Sequence, residues 1–424
     1  MGGNLKKMKI CIINFVHSKY AGGAAVSVRI LAESLKKRGH EVFIITTGSY
    51  KALKSLNPSL QIEDGIKVYR FYPVNLTIPF YTGRKTSLFE KICTFLLNFW
   101  NPHTYFATKK ILKKEMPDVI NINEVLYLSL SVYSAARSLN VPIVSTIRSV
   151  ILLFPLNNLP YLDKIAGVHY PFGSYRLYEI ISNMHAKINK IIIGNPDYVT
   201  FVSKAVKDIY SDHGFFKHSK KVVIKNIFEI DESESKQEKT EKKTFDILYA
   251  GGLNRIKGGH TLIKSFRRIK NSSIRLHIFG GGMDEKYFKD LAKGDKRIIF
   301  YGQVHNEEFQ KFYKMADVSV MPSEYFETFG RIIIESFRVG VPVIGSNIGG
   351  IPEIIQEGHT GFLFGPGSVE ELKNILEDVI NNKEKLKEMG KNCINSAKKY
   401  SVENNIYKFE EVYKEAINSK ITTK

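Results

Sequence analysis

Short apolar runs rich in isoleucine and valine alternate along this chain with longer stretches where apolar residues return every third or fourth position. The first run, over residues 9–15, leads into a glycine-bearing loop, Tyr20-Ala-Gly-Gly-Ala24. Ala24, Val28, Leu31 and Leu35 then fall on one helical face, Gly39 stops the helix, and a second run follows over 42–46. That is a βαβ unit, and such units build parallel sheets covered by helices. Further strands are predicted over 119–122, 143–146, 199–202 and 222–224. Beyond a charged stretch the rhythm restarts with a strand over 245–250, a glycine loop over 251–259 and a helix to about residue 269. Strands over 276–279, 298–301, 318–321 and 342–346 follow, with helices over 306–315 and 330–339 among them, and the tail from 383 reads as helical.

The expected fold class is therefore α/β, with two Rossmann-like doubly wound domains facing across a cleft. The pattern places an amino-terminal domain at 1–230, a charged linker at 231–243 and a carboxy-terminal domain at 244–400. A final helix over 401–424 is expected to pack back on the first domain. The stretch between Phe71 and Leu112 fits the rhythm poorly and mixes aromatics with basic residues, among them Phe80, Tyr81, Arg84, Lys85 and Trp100. In doubly wound folds the ligand crevice lies at the carboxyl ends of the strands.

Composition narrows the partners. With 43% hydrophobic and 25% charged residues, the 424-residue chain is of ordinary globular type. Cys11, Cys93 and Cys393 stand far apart, which implies neither a disulfide framework nor a zinc site and suits a reducing, cytoplasmic setting. The net charge of +20 fits either lysines scattered over solvated helix faces or anionic partners: nucleotide-sugar phosphates, lipid phosphates of an anionic membrane surface on the inner leaflet, or nucleic acid. No run reaches the roughly 20 apolar residues of a membrane span. Asn14 interrupts the first apolar run, which reads as a buried strand and not as a signal peptide. Nothing resembles a nucleic-acid-binding module, so no nucleic-acid partner is expected.

Three loop-to-helix junctions are suited to phosphate, because glycine before a helix start leaves backbone N–H groups pointing outward. They are Gly22-Gly23, the loop over 251–258 with Arg255 and Lys257, and Thr328-Phe-Gly330. Glu327 and Glu335 add carboxylates, which accept paired hydrogen bonds from vicinal hydroxyls of a sugar or ribose. Each glycine also has an ordinary tight-turn reading, and either glutamate an ordinary capping or surface one.

The run Pro322-Ser-Glu-Tyr-Phe-Glu-Thr-Phe-Gly-Arg-Ile-Ile-Ile-Glu335 resembles the donor-site signature of family four glycosyltransferases. Gly340-Val-Pro-Val-Ile-Gly-Ser346, Gly349-Gly350, Glu353, Gly358 and Gly361-Phe-Leu363 extend the likeness, as do Ser203-Lys204 and Asn226 in the first half. These are retaining enzymes of the GT-B fold, and the resemblance implies their roles here. Glu327 would hold hydroxyls of the transferred sugar, Thr328, Phe329 and Gly330 would offer backbone N–H groups, and Glu335 would hold the ribose. Lys257 would neutralise the diphosphate, Gly280, Gly281, Gly282 and Val304 would lie near the base, and Gly22 and Gly23 would close over the diphosphate.

Two positions depart from that pattern. Gly252 stands where the family usually has an arginine, which makes Arg255 the candidate replacement, and Ile147-Arg148-Ser149 stands where a histidine is usual. Arg148 and His17 are accordingly the acceptor-side candidates. The resemblance implies a nucleotide-diphosphate sugar as donor, a glycan or lipid-linked glycan as acceptor, a hexose-type sugar, and no metal or other cofactor. A GT-B-like sugar-nucleotide epimerase and an inactive glycosyltransferase-like binding protein share the same sheets and glycines. The aromatic and basic residues over 71–114, including Lys109, Lys110, Lys113 and Lys114, together with the apolar run over 150–154, suggest peripheral membrane attachment.

Overall fold

The structure, a computed structural model, describes residues 7–17, 22–75, 87–154, 175–231, 242–304 and 306–422. The expected linker falls almost wholly outside the described residues, as do Tyr20, Phe80, Tyr81, Arg84 and Lys85.

Parallel strands buried on both faces need near-continuous apolar runs, and the runs read from the sequence are where the strands lie. The first sheet comprises β1 (Lys9–Ile13), β2 (Glu41–Thr47), β3 (Ser59–Glu63), β4 (Ile66–Phe71), β5 (Val119–Ile122), β6 (Ile143–Ile147), β7 (Tyr198–Phe201) and β8 (Lys220–Val223). Its order is β3-β4-β2-β1-β5-β6-β7-β8, and β3 is antiparallel to its neighbour. Ile10 on the central β1 pairs with Val42 on one side and Val119 on the other. Around this sheet lie α1 (Gly23–Lys37), α2 (Leu88–Phe99), α3 (Pro102–Glu115), α4 (Ser131–Arg137), α5 (Tyr175–Ile193) and α6 (Lys204–Asp212).

The second sheet is parallel throughout, in the order β11-β10-β9-β12-β13-β14. Its strands are β9 (Phe245–Ala250), β10 (Ile274–Phe279), β11 (Ile298–Gly302), β12 (Val318–Met321), β13 (Val343–Ser346) and β14 (Gly361–Phe364). Its helices are α7 (Gly259–Arg268), α8 (Glu285–Ala292), α9 (Asn306–Met315), α10 (Arg331–Phe337), α11 (Val369–Asn381) and α12 (Lys383–Lys398).

The chain then returns. Phe228 N–H donates to Tyr400 O at 3.0 Å and Val402 N–H to Phe228 O at 3.0 Å, which ties the exit from the first sheet to the entry of α13 (Val402–Thr422). Phe409 and Tyr413 of α13 are buried with Val28, Leu31 and Tyr198 of the first sheet's layer. Arg38 and His40 anchor the Glu410 carboxylate at 2.5 and 3.1 Å.

A continuous apolar cluster runs from one sheet layer to the other, with Ile147, Val150 and Phe228 on one side and Phe329, Ile333 and Tyr400 on the other. The apolar run over 150–154 thus belongs to this core: Val150, Leu153 and Phe154 are buried. Leu152 alone of the run is partly exposed, so the run is a core segment and not the apolar membrane face expected from the sequence, because a run following an inner strand is covered by the helices that close the sheet.

Candidate active site

The carboxyl ends of β9 and β12 bring two loops together. Gly258 closes the first, at φ +68°, and a Cβ there would stand 1.6 Å from the Pro322 carbonyl oxygen. Only glycine lets the 255–258 turn lie against the loop after β12, and this contact carries Lys257 to Glu327. Gly349, at φ +59°, backs the same loop, since a Cβ there would meet Glu327 O at 2.1 Å. Gly350 N–H donates to Glu327 O at 2.7 Å. Glu327 is thereby set by backbone packing on two sides.

Its carboxylate is the centre of a buried polar cluster. Lys257 Nζ lies 2.7 Å from Glu327 Oε1 and 2.8 Å from the Tyr325 hydroxyl, and sits 4.1 Å from the centre of the Tyr325 ring. Ser323 Oγ donates to Oε1 at 2.9 Å and Tyr325 OH to Oε2 at 3.2 Å. Burial works against the Lys257 ammonium, but the Glu327 carboxylate and Tyr325 outweigh it and hold its pKa above the ordinary lysine value. Burial and the Glu327 charge push the Tyr325 hydroxyl up to about 12. Next to this cluster, the N–H groups of Thr328, Phe329 and Gly330 donate to no group among the described residues. Three adjacent free donors, a lysine and a carboxylate can bind one ligand that has both an anionic end and hydroxyls.

Other expected residues lie further out. The Arg255 guanidinium rests over the Tyr287 ring, 4.3 Å from its centre, with Nε 3.8 Å from Asp284. Its side chain is half exposed, and the structure does not bring it onto the Lys257–Glu327 cluster. Glu335 lies one helical turn beyond Arg331, at 3.6 Å from its guanidinium, and 3.5 Å from the Tyr313 hydroxyl. Gly280, Gly281 and Gly282 follow β10 and run along the loop after β9, where Leu253 N–H donates to Gly281 O at 3.0 Å. A Cβ on Gly280 would meet Gly251 O at 1.9 Å and one on Gly282 would meet Leu253 O at 2.4 Å, so these glycines serve packing, while a Cβ on Gly281 would make only ordinary contacts with Glu285 and Gln303 at 3.7 and 3.8 Å. Val304 packs partly buried near Phe279.

The first sheet supplies the facing wall. Gly22 caps α1 with open space around it, and Gly23 packs on the Arg331 side chain, where a Cβ would lie 2.8 Å from Cδ. Arg331 Nη1 donates to Ser27 Oγ at 2.8 Å, and its guanidinium covers the Phe228 ring at 4.3 Å. Sequence reasoning passed over Arg331, although it stands inside the quoted run; only its place on the seam distinguishes it. Thr328 Oγ1 donates to Arg148 O at 2.8 Å and Ser203 Oγ to Thr328 O at 2.7 Å, so the loop after Glu327 is stitched to the first sheet. The Glu353 carboxylate reaches across as well, to the N–H groups of Lys204 and Ala205 at 2.9 and 2.7 Å. Arg148 is buried and held by Asn123 and Asn226, and burial lowers its pKa to about 10. His17 instead faces the β3–β4 hairpin, 3.7 Å from Glu63, with its Nδ1 buried and unpartnered among the described residues.

Two family models together match residues 21–399 of the chain. One, for Glycosyltransferase Family 4, matches residues 21–232, and one for glycosyl transferases group 1 matches residues 230–399. The chain belongs to glycosyltransferase family 4. It is 22% identical over 406 residues to the N-acetyl-alpha-D-glucosaminyl L-malate synthase of Bacillus anthracis, covering 92% of this chain and 93% of that protein. Sucrose-phosphate synthase from Thermosynechococcus elongatus superposes with a TM-score of 0.73 at 20% identity, over 97% of this chain and 100% of that one. Anabaena HepE, solved in complex with UDP and glucose, superposes with a TM-score of 0.69 at 19% identity, over 96% and 100% of the two chains. The two α/β domains across a cleft are those of a GT-B glycosyltransferase, as the sequence pattern led us to expect.

Proposed function

We propose that this glycosyltransferase moves a hexose-type sugar from a nucleotide-diphosphate sugar to a hydroxyl of a glycan or lipid-linked glycan, with retention of configuration. The observation that carries this reading is the Lys257–Glu327 pair beside the unpaired N–H groups of Thr328, Phe329 and Gly330. The family and the UDP complex of the Anabaena protein support a nucleotide donor.

In this reading Glu327 accepts hydroxyls of the sugar, and Lys257 turns from Glu327 to the diphosphate. As the bond from the anomeric carbon to the phosphate oxygen breaks, negative charge grows on the β-phosphate. The fixed N–H dipoles, and Lys257 once it has turned to the bound diphosphate, meet that charge without further reorganisation, a contribution that typically amounts to several kcal/mol. The acceptor oxygen bonds the anomeric carbon on the face the phosphate leaves, and its proton passes to the departing phosphate oxygen. The step uses the chain's own residues and calls for no metal. Glu335 is assigned to the ribose and the 280–282 loop with Val304 to the base. A thermal-shift panel of nucleotide sugars tests the donor assignment, since a ligand at 100 times its Kd adds about 2.7 kcal/mol. A panel in which no nucleotide sugar shifts the transition would contradict it. The anomeric proton coupling of the product would then report retention or inversion.

A second reading, peripheral attachment to an anionic membrane, is favoured by one feature. Phe89, Ile92 and Leu96 are exposed along one face of α2, and Ile180, Met184 and Ile188 along one face of α5. The two helices join through His185, which stacks on Phe95 at 5.6 Å and meets Phe99 at 5.4 Å. Exposed apolar side chains in such numbers suit an interaction site, and the net charge of +20 suits anionic lipid. Among the described residues no helix is long and apolar enough to cross a membrane.

A further inference from the structure

Arg148 is the buried cation that the donor chemistry leaves unused. It stands just past the carboxyl end of β6 and is only 8% exposed. Its guanidinium is held by neutral groups: Nε donates to Asn123 Oδ1 at 3.1 Å, and Nη1 donates to Asn226 Oδ1. Asn123 is fixed in turn by its bond to Asn121 at 2.6 Å, so the cradle is set from the sheet itself. Nη2 donates to no group among the described residues, and no carboxylate there forms an ion pair with Arg148. Glu124 acts on it only at longer range and is engaged by Ser149, while Arg331 adds a second positive charge nearby. A buried guanidinium without a counter-ion is strongly unfavourable unless a ligand supplies one.

Its position says which ligand. The Arg148 carbonyl receives the Thr328 hydroxyl at 2.8 Å, so the residue borders the loop that follows Glu327. Yet it belongs to the first sheet, whereas Lys257 and the free N–H groups that suit the donor diphosphate belong to the second. We infer that Arg148 receives an anionic substituent of the acceptor, a phosphate or a carboxylate close to the hydroxyl that is glycosylated. This rests on the transferase reading above. Asn123 and Asn226 orient the guanidinium without neutralising it, which an aspartate at either position would do.

The test uses inorganic phosphate and succinate as probes, titrated calorimetrically into the full chain with a saturating nucleoside diphosphate filling the donor site. The parent, Arg148→Gln and Asn226→Asp are compared. Asn226→Asp keeps the shape of the cradle and supplies the missing negative charge, so it remains informative if Arg148→Gln fails to fold. The parent is expected to bind one of the two anions, and the preference between them distinguishes phosphate from carboxylate. Both variants should bind that anion at least about tenfold more weakly, as loss of one charge-assisted contact implies. Arg148→Lys should recover part of the affinity. A parent that binds neither anion, or a variant that binds it as the parent does, overturns the inference. A parent that takes up no nucleoside diphosphate contradicts the donor assignment instead, and the comparison of anion binding among the three proteins still decides the role of Arg148.

Discussion

Lys257 and Glu327 form an ion pair at 2.7 Å, and a double-mutant cycle should measure how much that pairing is worth. Fully buried pairs lose about 3–5 kcal/mol when one partner is removed, and exposed pairs are worth about 0.2–1 kcal/mol. This pair lies between those limits, because the Lys257 side chain is 28% exposed and that of Glu327 9%. Ser323 and Tyr325 would still donate to the carboxylate after Lys257→Ala, at 2.9 and 3.2 Å, which softens the loss. Glu327→Gln keeps the volume and an acceptor oxygen, with the Tyr325 hydroxyl as a second acceptor for Lys257, but removes the negative charge that balances its ammonium. We therefore expect about 1–3 kcal/mol of destabilisation for Lys257→Ala and a coupling of about 1–2 kcal/mol between the two substitutions. Urea denaturation followed by far-ultraviolet circular dichroism is the assay. The single tryptophan, Trp100, lies beside α2 in the first domain and would not report on this site. A coupling within about 0.3 kcal/mol of zero would refute the claim that the two groups form one charged unit.

Three other outcomes follow from the same geometry. Arg255→Ala should weaken nucleoside-diphosphate binding by calorimetry less than Lys257→Ala does, because Arg255 rests on Tyr287 and Asp284; a larger loss for Arg255→Ala would show that it swings in as the missing family arginine. Burial opposes ionisation of Glu115, but Lys9, Tyr69 and Lys67 overcome it and hold the pKa at about 2 against an ordinary 4.5. A depressed carboxyl stabilises the fold above pH 4.5 and loses that contribution as pH falls toward 2. Glu115→Gln should therefore flatten the acid limb of a stability–pH curve by about 2–3 kcal/mol, and an unchanged limb would contradict this. Finally, Phe89→Asp combined with Met184→Asp should abolish flotation with anionic vesicles at low salt, whereas equal recovery of parent and variant would remove the membrane reading.

Most strands of both sheets were legible because parallel strands buried on both faces are predominantly apolar, as in β5, β9 and β12, each of which carries a single polar residue; the short β14 was not read as a strand. The β3–β4 hairpin was not read, although Asp64-Gly65, at φ 46° and 71°, is the kind of dipeptide that favours such a turn. β3 is exposed along most of its length and carries little apolar signal. The aromatic stretch between Phe71 and Leu112 concealed α2 and α3, whose exposed apolar positions blur the amphipathic rhythm that marks a helix packed on one face. Lys257 and Glu327 were legible as chemistry because they stand in dense motif context. Tyr325, Ser323 and Arg331 were not, since a hydroxyl or a guanidinium declares its role only through the partner that folding brings to it. The displacement of Arg255 onto Tyr287 has the same cause: residue type and spacing gave its charge but not its direction.

The central claim is that Glu327 and Lys257 act on a nucleotide-diphosphate sugar, and the measurement that tests it most directly is transfer by Glu327→Gln. The parent is given the nucleotide sugar that shifts its melting transition most, together with an acceptor that it glycosylates. Product and released nucleoside diphosphate are quantified by mass spectrometry. Glu327→Gln, with circular dichroism matching the parent, is expected to form product at least about a hundredfold more slowly, in the range set by the loss of one preorganised polar contact. Turnover within a few-fold of the parent would contradict the account.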